Sequence, residues 1–540
     1  MKRMITKTLP ILLSVALSVD AGELKLSPVF GDHMVLQRDM PVKVWGSADP
    51  GAAISVKFSS QTKTVNAGPD GSWMAALDPM TASTEPRELF VESGSAGIKA
   101  SDILVGEVWL LGGQSNMEMP LWWRGDGMEN AKDTRLVLGT DHPWLRIMTV
   151  PQGVAQKPRD SFLQGGKDGD GVMTGQWFVS QDKHAAISGF SALGYFIGTQ
   201  LHEKIGVPIG LIDTSWGGTI ASAWNSRESL SAIPEASEMV GKKEAAAAAW
   251  TEDGARQQFE ADLKDWESKV EQAKSENKKP PGKPSIKPDP GQDRNFPAGP
   301  FNAMIWPLRH MSLRGVFFYQ GENNFFDRVD PFTKTFPAVV TSWRHAFENE
   351  KLPFCIFQIC GWGEKELLYW QTMMPIIQEA QHKAHLAQPG TGFVVTTDHP
   401  HADIHPMKKR PIAERAVRWA MSEIYGRKEI TWGTASLMSS KLDGTRFVLT
   451  FKTPGNESLK ITGEPSGIAI AGKDGKFIEA RAELLGPHTL AVWSDKLPDP
   501  VTVRYAWSQR AIIHLYTESG LPVGPFRTDD FAIPRSEIRD

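Results

Sequence analysis

Two textures alternate along this chain. Residues 22–105 carry short runs in which apolar and polar positions take turns: PVKVWG, AISVKFSS, TKTVNAG, SWMAAL and ELFVES. A period of two puts one face of a strand on a core and the other in water. Gly, Pro, Asp and Asn separate the runs, and Pro69-Asp70-Gly71 is a turn signal. This pattern predicts a small β-sandwich. From VWLLGGQSNMEM (108–119) the apolar runs become continuous, in IGVPIGLID, LRGVFFY and TGFVV, and helix-like segments intervene, around 188–204 and in KKRPIAERAVRWAMSEIYG. Such alternation predicts a mostly parallel sheet covered on both faces. From about 427 alternating β runs return, in RFVLTF, GIAIAG, HTLAVWS and VTVRYAW. The predicted class is α/β, a parallel sheet flanked by N-terminal and C-terminal β-sandwich-like domains.

Residues 236–295 interrupt the α/β pattern. A charged stretch rich in Ala, Glu and Lys predicts surface helices, and KKPPGKPSIKPDPG predicts an extended, polyproline-like linker. The domain reading is therefore 22–105 for the N-terminal β domain and 106–235 and 296–426 for the two parts of the α/β domain. The insertion fills 236–295, and a C-terminal β domain fills 427–540. A passive surface hairpin is the expected role of the insertion, and part of a rim above the active site is the alternative. The first 21 residues join a positive start (Lys2, Arg3, Lys7) to an apolar run and Val19-Asp20-Ala21. They read as a cleaved secretory signal, which predicts a periplasmic or secreted protein with no membrane anchor.

Composition narrows the chemistry. The 540 residues carry a net charge of −4 and no basic run outside the Lys-rich 268–287 stretch, so nothing calls for nucleic acid. Cys355 and Cys360 are the two cysteines. Five residues apart in one apolar strand, they point to opposite faces, which argues against a disulfide. No cofactor is implied. His399, His401 and His405 have spacings that match no common zinc signature, so no metal is assigned.

The polar clusters fall just after the apolar strands, where open α/β sheets place their ligands. In Gly112-Gly113-Gln114-Ser115-Asn116 a serine sits in a tight turn and can present its hydroxyl as a nucleophile; a helix cap is the bland alternative. In Asp403-Ile404-His405-Pro406 the imidazole can serve as base and Asp403 can hold its tautomer, with Asp398 a substitute if the loop folds back. Acyl transfer also needs oxyanion donors: Gly217 or Gly218 could supply a backbone N–H, and Gln320 a side-chain amide. Trp122, Trp123, Trp216 and Trp362 lie near these motifs, and indole faces suit sugar C–H surfaces. Glu322 and Asn323 are read as substrate-side residues, Glu322 as one that orients loops or hydrogen-bonds near the site and not as a nucleophile. A glycosidase would instead need two carboxylates across a scissile bond, for which Glu118 and Glu322 are the available pair.

At these motifs the chain resembles the sialate O-acetylesterase family, a branch of the SGNH-type esterases. FGDHMVLQRDMPVKVWG, VWLLGGQSNMEM, GLIDTSWGGTIASAW, FNAMIWPLRHMSLRGVFFYQGENN, DIHP, VRYAW and GLPVGPFRTD carry the resemblance in order. It implies an SGNH-like fold and a metal-independent serine esterase acting on O-acetylated sugars, with Ser115 as nucleophile and His405 as base. Gly217 or Gly218 and Gln320 match the oxyanion positions. Many such enzymes place Asp three residues before the His; here that position is Ala402 and Asp403 is two before, which leaves triad and dyad both open. Sialic acid is the substrate the family name implies, and its carboxylate would need a cation, for which Arg124 is the positional candidate. The rival readings are an esterase for xylan or another polysaccharide and a secreted carbohydrate-binding protein with an idle site. The oligomeric state stays open.

Overall fold

The structure, a computed structural model, describes residues 23–122, 141–166, 173–180, 189–327, 330–363 and 373–531. Residues 1–21, read above as a secretory signal, lie outside the described residues. The protein is an α/β molecule with several mixed sheets. At its centre are seven strands, β1 (Ala96–Gly113), β2 (His142–Thr149), β3 (Trp177–Ser180), β4 (Ile209–Asp213), β5 (Gly315–Tyr319), β6 (Phe354–Phe357) and β7 (Thr391–Val394), in the order β3-β2-β4-β1-β5-β6-β7. All neighbours pair in parallel except β3 with β2. Strands β4 to β7 are buried at every position, which is why their sequences read as unbroken apolar runs. Helices Ala192–Ile205, Phe332–Ala346, Met373–Ala387 and Lys409–Trp419 link or follow them.

The N-terminal β region is joined to this sheet through one strand. The first half of β1 pairs with Ser83–Ser93 and Val35–Gln37, and its second half pairs with β4 and β5. The change of texture near residue 105 is thus a change of surroundings along a single strand, from half-exposed to wholly buried. At the junction, the buried Glu107 accepts hydrogen bonds from Arg38 Nε (2.5 Å), Arg314 Nε (2.5 Å) and Gln37 Nε2 (3.0 Å). One continuous apolar core spans the N-terminal strands and the central sheet, whereas strands between Ser436 and Arg527 enclose a second core.

The insertion folds into helices Pro234–Ala249 and Glu252–Ser275, the second capped by Thr251. The Pro-rich stretch runs back along them, and Trp250 and Trp266 donate indole N–H bonds to the carbonyls of Lys287 and Pro281. Cys355 and Cys360 are both free and buried. Among the described residues no helix is long and apolar enough to cross a membrane.

Candidate active site

The carboxyl ends of β1, β4, β5 and β7 bring the polar clusters together. Gly113 closes β1 with φ near 123°, and a Cβ there would stand 2.0 Å from the Tyr319 carbonyl oxygen, so this turn requires glycine. The helix after β1 is a single turn, Ser115–Glu118. Met117 and Met119 are buried and the chain turns away at Pro120, so the helix has nowhere to extend. The sharp turn lifts Ser115 to the surface of a cavity of about 540 Å³.

His405 arrives from the loop after β7. Its Nε2 lies 2.9 Å from Ser115 Oγ and its Nδ1 lies 3.0 Å from Asp403 Oδ1. The two-residue spacing therefore suffices for the carboxylate to reach the ring. His401 Nδ1 accepts the Asp403 backbone N–H at 3.1 Å and helps shape this loop. Asp398 is not available to His405, because Arg415 grips both of its oxygens at 2.7 and 2.6 Å.

The side chains on either side of Ser115 fasten the neighbouring loops. Gln114 Oε1 accepts from the backbone N–H of Gly321 (3.3 Å) and Asn323 (3.1 Å). Asn116 Nδ2 donates to Glu322 Oε1 (2.5 Å) and to the Ile404 carbonyl (3.1 Å), while its Oδ1 accepts from Lys409 Nζ (2.7 Å). Burial pushes the Glu322 carboxyl up to about 7, against the bond from Asn116, and brings Lys409 down to about 8.

The expected oxyanion donors fare differently. Gly217 and Gly218 line the cavity beside Ser115. The Gly217 N–H, however, donates to Glu118 Oε2 at 2.5 Å, and Glu118 Oε1 also accepts from Gln152 at 2.6 Å, so this amide is already engaged. Gln320 is not brought to the cavity. It is fully buried, and its amide nitrogen donates to Asn324 Oδ1 (2.8 Å) and the Thr219 carbonyl (3.2 Å). Asn323 does face the cavity, with Nδ2 donating to the Gly218 carbonyl at 2.8 Å.

Of the substrate-side expectations, Trp122 (44% exposed) and Trp216 line the cavity. Glu322 does not, being wholly buried behind Asn116; this also removes the Glu118–Glu322 pairing across one cavity. Trp362 packs beneath Phe325 and Phe326 with ring centroids 5.5 and 5.9 Å away. Arg124 and Trp123 lie outside the described residues. The cation that the sequence reading missed is Arg294, from the far end of the insertion. It lines the cavity, its guanidinium stands 5.6 Å from the Trp216 ring centroid, and its Nη1 donates to the Gly217 carbonyl at 2.8 Å. The insertion thus reaches the cavity instead of standing apart as a passive hairpin. Two carboxylates, Glu118 and Asp213, also line the cavity, and desolvation raises Asp213 to about 7.

No family model matches the chain. Sialate O-acetylesterase of Rattus norvegicus is 26% identical over 549 residues, covering 92% of each chain, and that of Homo sapiens is 26% identical over 459 residues, covering 78% of this chain and 75% of that protein. Among solved structures, a carbohydrate acetylesterase from Xanthomonas citri superposes with a TM-score of 0.74 at 29% identity, over 94% of this chain and all of that one. The chain is a distant but consistent match, along most of its length, to sialate O-acetylesterases and to a carbohydrate acetylesterase of related fold.

Proposed function

We propose that this protein is a serine esterase that removes O-acetyl groups from sugars, with sialic acids as its leading substrates. The observation that carries the reading is the hydrogen-bonded line Ser115–His405–Asp403 opening onto the cavity. His405 takes the Ser115 proton as the hydroxyl attacks the acetyl carbonyl, and Asp403 steadies the imidazolium that forms. The Ser115 and Gly218 backbone N–H groups and the second N–H of Asn323 Nδ2 receive the oxyanion, a set in which Asn323 takes the place first given to Gln320. The sugar leaves with the proton from His405, and water then hydrolyses the acetyl-enzyme.

Arg294 supports an anionic sugar, because its guanidinium reaches the cavity where a carboxylate could meet it. The similarity to sialate O-acetylesterases points the same way. A second reading, an esterase for neutral polysaccharides, draws on Glu118, Gln152 and Asp213, cavity residues that offer hydrogen-bond partners to sugar hydroxyls, and on the similarity to a carbohydrate acetylesterase. Acetate release from 9-O-acetylated sialic acid and from acetylated xylan, with Ser115→Ala alongside, separates the two. Ser115-dependent release from the sialic acid alone supports the first reading. Release from xylan alone keeps the chemistry and rejects the sialate assignment. Release from neither rejects both.

A further inference from the structure

Behind the nucleophile lies a buried ionic chain that takes no part in the acyl-transfer steps. Asn116, Glu322 and Lys409 are each at most 1% exposed. They belong to three separate segments: the turn after β1, the turn after β5, and the first residue of helix Lys409–Trp419. Asn116 joins them. It accepts from Lys409 Nζ at 2.7 Å, and its amide nitrogen reaches both Glu322 Oε1 and the Ile404 carbonyl. The Ile404 carbonyl belongs to the peptide that leads directly into His405. The second oxygen of Glu322 has no hydrogen-bond partner among the described residues. A lone carboxylate in such a place is costly, and the opposite charge of Lys409 offsets part of that cost.

We propose that the Lys409–Asn116–Glu322 chain is a positioning device for the base. It fixes the His405 loop against the Ser115 turn, so that Nε2 and Oγ stand at hydrogen-bond distance before substrate arrives. Asn116 orients by donating at both of its contacts on the carboxylate and carbonyl side. Lys409 and Glu322 hold the Asn116 amide in that one orientation, since a flipped amide would place its oxygen against a carboxylate and its nitrogen against an ammonium. The three are positioning residues, and none of them lines the cavity. This inference rests on the serine-esterase reading.

The test compares the intact mature protein with Lys409→Met, Glu322→Gln and the double variant, using p-nitrophenyl acetate and an acetylated sugar, with Ser115→Ala as reference. Misplacing a reacting group by about an ångström costs roughly 100-fold in rate. Lys409→Met leaves the carboxylate uncompensated, so its kcat should fall by that order while KM stays within about 3-fold. Glu322→Gln, close in shape, should lose roughly 10-fold in kcat. The double variant removes both charges and should be more active than Lys409→Met. If Lys409→Met does not fold, the pair Glu322→Gln and Glu322→Gln/Lys409→Met decides, with a double variant within about 3-fold of the single one as the expected result. Losses that multiply in the double variant, or a KM that rises in step with the fall in kcat, would overturn the positioning role. Full activity in Ser115→Ala would instead overturn the esterase reading itself.

Discussion

Asp403→Asn isolates what the carboxylate beside His405 contributes. The substitution keeps size and shape but removes the charge that faces the ring at 3.0 Å. At that distance Coulomb's law gives about 332/(20 × 3.0), or roughly 5.5 kcal/mol, at an effective dielectric of 20, and roughly 1.4 kcal/mol at that of water. The side chains of His405 and Asp403 are 16% and 26% exposed, so the pair lies between these limits. Each 1.36 kcal/mol is tenfold in rate, which places the expected loss in kcat between about 10-fold and 10⁴-fold. Stopped-flow or steady-state hydrolysis of p-nitrophenyl acetate reads it directly, and KM should change little, because Asp403 does not line the cavity. Asp398→Asn is the control: that carboxylate is held by Arg415, so the change should lower stability more than kcat. A kcat for Asp403→Asn within 3-fold of the parent, with Asp398→Asn losing more, would refute the argument.

Glu107→Ala should destabilise the fold by about 3 kcal/mol, because it leaves Arg38 and Arg314 facing each other without their shared carboxylate; urea unfolding measures this. Asp213→Asn should stabilise the protein more at pH 8 than at pH 5. The Asp213 carboxyl titrates at about 7 in the fold against 3.8 as its ordinary value, so the folded state holds a proton the unfolded chain has released, and stability falls as pH rises between those values. Thermal melts of both proteins across that range check the sign. Arg294→Ala should raise KM for an acetylated anionic sugar by roughly 10-fold and leave a neutral acetylated sugar nearly unchanged, as paired kinetics will show.

The parts of the site that were legible in sequence share a cause. Ser115 sits just after one apolar strand, His405 and Asp403 in the loop that follows another, and a parallel sheet brings such ends to one edge. Gln320 sits at an equally legible strand end but turns inward, because Gly321 bends the chain with φ near 148° and Asn324 and Thr219 capture the amide. Sequence gives the location of that residue, not the direction of its side chain. Arg294 was hidden for another reason: it sits at the far end of a long insertion, and only the folded hairpin returns it to Trp216. The cluster Asp293-Arg294-Asn295, polar and immediately before the buried FPAGP segment, was the available signal. Glu118 between buried Met117 and Met119, and Glu107 within VGEVWLL, were similar signals, since a carboxylate inside an apolar run needs a partner. The N-terminal β pattern was readable, but its continuity with the central sheet was not, because alternation reports the faces of a strand and not which strand pairs with it.

The central claim is that Ser115 attacks the acetyl carbonyl with His405 as its base. Labelling the purified protein with a serine-directed fluorophosphonate, followed by peptide mapping and an acetate-release assay on the same sample, tests it most directly. One adduct is expected, on Ser115, formed in step with the loss of acetate release, absent in Ser115→Ala and strongly slowed in His405→Ala. An adduct on another residue, or undiminished acetate release by Ser115→Ala, would contradict it.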